Sequence, residues 1–179
     1  MRRNGNSSMP TTRRGPSKKE RGGFAPPEHD HAVCIDDALA AAERQCAARG
    51  ARLTEQRRRV LELIWKSHAP VGAYTLLDRL REHGVRAQPP TVYRALEFLV
   101  ENGLIHRIES LNAYVGCAEP AESHVGQFLI CTGCRSAAEL DDAGIGTAIA
   151  ARAREIGFSV SRATVEIAGL CPNCRAAAR

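Results

Sequence analysis

Residues Gln88–Ser110 read QPPTVYRALEFLVENGLIHRIES. The stretch opens as a helix and closes as a strand. Pro89 and Pro90 are tolerated only in a first helical turn, where amide donors have no intrahelical partner. Val92, Leu96, Leu99 and Val100 then form an apolar stripe at helical spacing, and Asn102–Gly103 closes the helix. Thr91 and Arg94 start on the free face, with Tyr93 beside them. Past the stop, LIHRIES and NAYVGC read as two short strands joined by a turn at Ser110–Asn112. His106 is set into the first of these strands.

Upstream, three more helices are expected. IDDALAAAERQCAAR (35–49) places Ile35, Leu39, Ala42 and Cys46 on one face and stops at Gly50. LTEQRRRVLELIWKS offers Thr54 as N-cap before Val60, Leu61, Ile64 and Trp65, and Pro70–Gly72 breaks it. AYTLLDRLREHG turns Leu76, Leu77 and Leu80 inward and ends at Gly84. Helices closed by a hairpin follow the order of a winged helix-turn-helix, whose recognition helix enters the major groove N-terminal end first.

Charge agrees with that order. The net charge of +5 hides an asymmetry: Arg44–Arg94 has eleven basic and four acidic residues, whereas Ala95–Arg179 is net acidic. A positive field on the helical half fits nucleic acid, and a solvated basic face is the plainer alternative. Arg52, Arg57, Arg58 and Arg59 are the candidates for phosphate contact. Residues 1–33 are basic and poor in apolar clusters, so a disordered tail is expected there. No secretory signal or membrane span is visible, which implies a cytoplasmic protein and no membrane partner. The expected limits are 1–33 for the tail, 34–110 for the winged helix, 111–123 for the wing end and hinge, and 124–179 for a second domain.

That second domain should contain strands at HVGQFLIC and SAAEL, a helix at GIGTAIAARAREIG, and a last strand over FSVSRATVEIAGLC that slips near Ser161–Arg162. VGQFLI is apolar on both faces, and one helix covers only one, so a second copy of the chain is expected against the other face or an edge. The fold class expected is therefore α+β: an N-terminal winged helix-turn-helix followed by a small α/β dimerisation domain.

Seven cysteines in a cytoplasmic chain point to metal rather than disulfides. Cys131–Cys134 and Cys171–Cys174 form two C-x2-C knuckles separated by 36 residues. Four thiolates offered in pairs suit a closed tetrahedral zinc site. A redox pair would need a knuckle opening a helix in a βαβ setting, which is missing here. His106, Cys117, His124 and Glu139 belong to no knuckle, yet all lie near the junction of the halves. Singly each has an ordinary structural explanation. Together, two nitrogens, one sulfur and one oxygen would make a more exchangeable zinc site that ties the halves at one angle. His29 and His31 are weak ligand candidates in the tail, Cys34 and Cys46 read as plain helix residues, and His68 and His83 sit at helix ends.

RLTEQR, AYTLLDRLRE, PPTVYRALEFL, GLIHRIES, NAYVGC and the two knuckles together resemble the ferric uptake regulator family of metal-dependent bacterial repressors, in its zinc uptake branch. The resemblance spans about Ile35 to Cys174. It implies a homodimer that binds a palindromic double-stranded operator when zinc fills a sensing site. Matching motifs place that regulatory site at His106, Cys117, His124 and Glu139, and structural zinc at Cys131, Cys134, Cys171 and Cys174, about two zinc ions per chain. They place DNA contacts at Tyr74 and Arg94, with Thr91 and Tyr93 nearby. The iron-sensing branch carries a histidine-rich run before the first knuckle. EPAESHVGQF stands there instead, which argues against iron or manganese.

The expected function is a zinc-responsive transcriptional repressor of zinc uptake genes, with no enzymatic activity and no small organic substrate. A sister regulator answering iron, manganese or peroxide is the alternative. A zinc hydrolase or deaminase would need a glutamate held off the metal as general base, and the deaminase motifs are missing. A zinc-storage protein would leave the basic half unexplained.

Overall fold

The structure, a computed structural model, describes residue 24 and residues 31–67, 69–120, 125–140 and 142–178. The rest of the expected tail, His29 included, and His68 and His124 lie outside the described residues. Helices α1 (His31–Ala48), α2 (Glu55–Trp65), α3 (Ala73–Glu82) and α4 (Pro89–Glu101) come first. They enclose one apolar core in which Leu61, Ile64, Leu76, Leu80, Leu96 and Leu99 are fully buried. α1 starts at His31, four residues before the expected Ile35, yet its inward face is the expected one: Leu39, Ala42 and Cys46 are buried and Ile35 packs on the cluster. Thr54 and Gln88 hold the N-cap positions of α2 and α4 with extended backbones, and Pro89 and Pro90 occupy the first turn of α4. Ala95 joins the α4 stripe, and Val100 is only partly buried.

A two-residue strand, β1 (Val71–Gly72), lies where the sequence reading expected only a break. It pairs with β3 (Ala113–Gly116), which also pairs with β2 (Ile105–Ile108) in antiparallel register, His106 opposite Val115. A 3-10 turn at Glu109–Leu111 joins β2 to β3 and ends on Asn112 at φ 46°. Asparagine enters that left-handed region more readily than most residues. Gly116 lies flat on Trp65, and a Cβ there would overlap the indole.

The second half has β4 (Gly126–Cys131), β5 (Ala137–Glu139), α5 (Ala143–Glu155), β6 (Thr164–Gly169) and α6 (Pro172–Ala177). Its sheet runs β5-β4-β6, with β5 antiparallel and β6 parallel to β4. The last strand is shorter than FSVSRATVEIAGLC led one to expect. Its ladder begins at Thr164, opposite Gly126 of β4, and residues 158–163 make no strand pairing among the described residues. α6 was not anticipated. Ile108 of β2 packs against Phe128 and Ile130 of β4, with Leu111 and Val115 around them, so the wing lies on the second sheet. No described helix is long and apolar enough to cross a membrane.

Candidate metal centres and nucleic-acid face

The two knuckles meet because β6 runs parallel to β4 and ends beside it, Cys131 opposite Gly169. Thr132 donates its amide to the Gly169 carbonyl at 2.8 Å. The sulfurs of Cys131, Cys134, Cys171 and Cys174 all lie within 4.8 Å of one another, and those of Cys134 and Cys171 are 3.8 Å apart. Zinc–sulfur bonds of about 2.3 Å in a tetrahedron hold sulfurs roughly 3.8 Å apart, so the cluster fits that ion.

Amides of Cys134 and Cys171 donate to the Cys131 sulfur at 3.5 and 3.3 Å, and that of Cys174 donates to the Cys171 sulfur at 3.4 Å. These donors stabilise negative sulfur. The amides of Cys134 and Cys171 hold the Cys131 thiol down at about 6, while hydrogen bonding with the Cys171 sulfur pushes Cys174 up to about 12. Four thiolates this close need a cation to coexist. Cys171 does cap a short helix, α6, because Pro172 and its own sulfur suit that start. The redox reading still fails on geometry, since each knuckle faces the other rather than an open cleft.

A second cluster sits where the wing meets the sheet. His106 projects from β2, Cys117 follows β3, and Glu139 ends β5; their donor atoms lie within 4.8 Å of one another. The Glu139 carboxylate is 3.0 Å from His106 Nε2 through one oxygen and accepts the Ala118 amide at 3.3 Å through the other. Both side chains are largely buried, at 17% and 14% exposure. The Cys117 amide donates to the Leu104 carbonyl at 3.1 Å, which fixes its place after the strand. Burial, and then the Glu139 carboxylate, push the Cys117 thiol up to about 12. The imidazole rests on Phe128, ring centroids 5.2 Å apart. Gly126 makes room for it: a Cβ there would lie 3.0 Å from His106 Nδ1. An imidazole, a thiol and a carboxylate converging in a buried pocket form a donor set that a borderline-soft divalent ion such as zinc satisfies.

On the helical half, Tyr74 is 69% exposed at the start of α3. On α4, Tyr93 and Arg94 are exposed and Thr91 is half-buried. Arg94 makes no ion pair or hydrogen bond among the described residues. Arg52 is exposed as well. The neighbouring arginines are engaged internally: Arg57 lies 3.5 Å over the Phe98 ring and donates to the Arg52 carbonyl at 2.6 Å. Arg58 is 3.4 Å from Glu43, and Arg59 is 2.9 Å from Glu55. Sequence reasoning missed the Arg57–Phe98 contact, along with Gly126, Phe128 and Glu166, because each acts only through a distant segment.

The ferric uptake regulator family model matches residues 48–168. The chain belongs to that family. Over 137 residues it is 42% identical to the zinc uptake regulation protein of Escherichia coli (strain K12), spanning 76% of this chain and 80% of that one. The zinc uptake regulation protein of Mycobacterium tuberculosis (strain ATCC 25618 / H37Rv) is 33% identical over 132 residues, covering 72% and 98%. Among solved structures of the family, a zinc uptake regulator complexed with zinc and DNA superposes with a TM-score of 0.77 at 39% identity, covering 80% of this chain and 97% of that one. The crystal structure of holo XcZur gives a TM-score of 0.74 at 46% identity, covering 79% and 99%.

Proposed function

We propose that this chain is a zinc-responsive, DNA-binding transcriptional repressor that governs zinc uptake genes as a cytoplasmic homodimer on a palindromic operator. It is a transcriptional regulator and not an enzyme. The observation that carries the sensing step is the position of the mixed cluster. His106 and Cys117 stand side by side at the base of the wing hairpin, one on β2 and one directly after β3, and Glu139 belongs to the sheet beneath it.

Zinc, when bound, supplies one centre that accepts nitrogen, sulfur and oxygen donors together. We assign His106, Cys117, Glu139 and His124 to this regulatory site and the four knuckle cysteines to a structural one, two ions per chain. Satisfied together, the mixed donors hold the wing, and with it α4, at one angle to the second sheet. Two such heads then meet successive major grooves about 34 Å apart. Moving a population from mostly incompetent to mostly competent takes a preference of about 10⁴-fold, or roughly 5.5 kcal/mol, shared between the sites of a dimer. By linkage, operator DNA tightens zinc binding to the same degree.

Residues 34–110 form the reading head, 111–123 the wing end and hinge, and 124–179 the dimerisation unit. The dimer is supported by exposed apolar side chains on the second half, among them Ile149, Ile156, Phe158, Ile167 and Leu170, and by the outer edge of β6, which no described strand covers. Arg94 reads base edges with Thr91 and Tyr93 beside it, and Tyr74 touches the backbone or a thymine methyl. Arg52 neutralises phosphate, and Arg57, Arg58 and Arg59 add to the positive field around it.

Metal analysis before and after mild chelation, paired with operator binding, tests this reading. One resistant and one removable zinc per chain are expected, with only the second controlling DNA binding. Equal operator occupancy in both states would refute it, and restoration by iron or manganese but not zinc would favour the sister regulators.

A further inference from the structure

The wing is fastened to the body a second time, by groups that need no metal. Glu166 of β6 accepts the Glu109 amide at 2.6 Å through one carboxylate oxygen and the Ser110 amide at 3.1 Å through the other. Both amides belong to the turn at the tip of the wing, whose first helical-type donors have no partner inside so short a turn. Burial opposes ionisation of Glu166, but hydrogen bonds from Ser110 and the Glu109 amide outweigh it and hold its carboxyl below the usual carboxylate range. The charged form is therefore the one that grips.

The register shows how this contact relates to the mixed cluster. Phe128 of β4 stands opposite Glu139 of β5 on one side and opposite Glu166 of β6 on the other. Residues in register point to the same face of a sheet. A row of Glu139, Phe128 and Glu166 thus faces the wing. Glu139 meets His106 near the wing's base, Phe128 meets His106 and Ile108 in the middle, and Glu166 holds the tip. Two strand spacings put the outer points roughly 10 Å apart. One point of attachment leaves the head free to swivel, whereas two leave it only a rocking motion about the line between them.

We infer that Glu166 is a positioning residue for operator binding: a metal-free fastener of the wing tip, against which the regulatory ligands set the remaining angle. This rests on the repressor reading above. It makes metal loss a loosening about a retained pivot rather than a release of the whole head. It also makes Glu166 a contributor to zinc affinity, because the turn it holds directly follows the strand that carries His106.

The test uses the full-length dimer and its Glu166→Ala and Glu166→Gln variants. Amide hydrogen exchange at Glu109 and Ser110 is measured in zinc-loaded and mildly chelated protein, alongside operator affinity at saturating zinc. In wild type both amides stay protected in both metal states. Glu166→Ala loses that protection while the Arg107–Tyr114 ladder and the knuckle zinc are kept. Its operator affinity falls on the order of tenfold, the scale of one charge-assisted hydrogen bond. Glu166→Gln keeps one acceptor oxygen, sets an amide donor against the other N–H, and falls between. It decides the matter should the alanine variant not dimerise. Unchanged exchange and unchanged operator affinity in Glu166→Gln would overturn the inference. Should wild type itself show no zinc-dependent operator binding, the repressor reading falls, and the exchange data still judge the fastener.

Discussion

Replacing Gly126 with alanine tests whether the His106 pocket is as tight as it looks. The added Cβ would lie 2.9 Å from Phe128 Cε2 and 3.0 Å from His106 Nδ1. Ordinary carbon contacts need 3.4–4 Å, so both rings must move by about half an ångström. Phe128 is 1% exposed and cannot yield without disturbing Ile108 and Ile130. Whatever shift Phe128 makes presses on the imidazole that rests against it, and the imidazole's own 3.0 Å contact displaces it as well. Without metal it can tilt at little cost, but a ligating ring cannot, so the strain falls on the loaded state. Overpacking costs about 1–3 kcal/mol, and each 1.4 kcal/mol is a tenfold change in binding. Regulatory zinc should weaken by about ten- to a hundredfold. Competition against a graded series of chelators measures that shift, and operator anisotropy should show the same displacement along the zinc axis. Unaltered zinc affinity in a folded dimer would refute the reasoning, and so would simultaneous loss of the knuckle zinc, which would mean the strain runs along β4.

Other substitutions separate the parts of the molecule. Cys131→Ser should abolish knuckle zinc, whose ligation is worth on the order of 10 kcal/mol of folding energy, and leave a monomer by sedimentation; a dimer with the wild-type urea midpoint would count against a structural role. Arg94→Ala should lose about 1–3 kcal/mol on the operator and far less on random DNA, and equal losses in gel-shift titrations would remove it from base reading. Gly116→Ala should destabilise the helical half by about 1–3 kcal/mol through overlap with Trp65, read as a lower urea midpoint with knuckle zinc intact.

The helical half was largely legible because its elements end on residues that rarely do anything else. Gly84 and Gly103 take positive φ after α3 and α4, and paired prolines open α4. The knuckles were legible for a similar reason, since C-x2-C spacing states its chemistry locally. The mixed cluster was only half legible. Its residue types are common, and what joins them is the pairing of β2 with β3 and of Phe128 with Glu139. Strand limits misled where pattern and partner diverged: residues 158–163, whose alternation slips near Ser161–Arg162, join no strand among the described residues, whereas Val71–Gly72 is paired despite the proline before it. Gly126 and Glu166 carry no local signal at all. A glycine that leaves space and a glutamate that reaches two amides 56 and 57 positions away become visible only in three dimensions.

Trp65 is the sole tryptophan of the chain, and it is wedged at the root of the wing against Gly116. Its emission is thus a native optical gauge of one joint. Light that changes when metal is added reports how the hairpin sits on α2. The distant thiolate cage, having no indole nearby, stays dark to the same measurement.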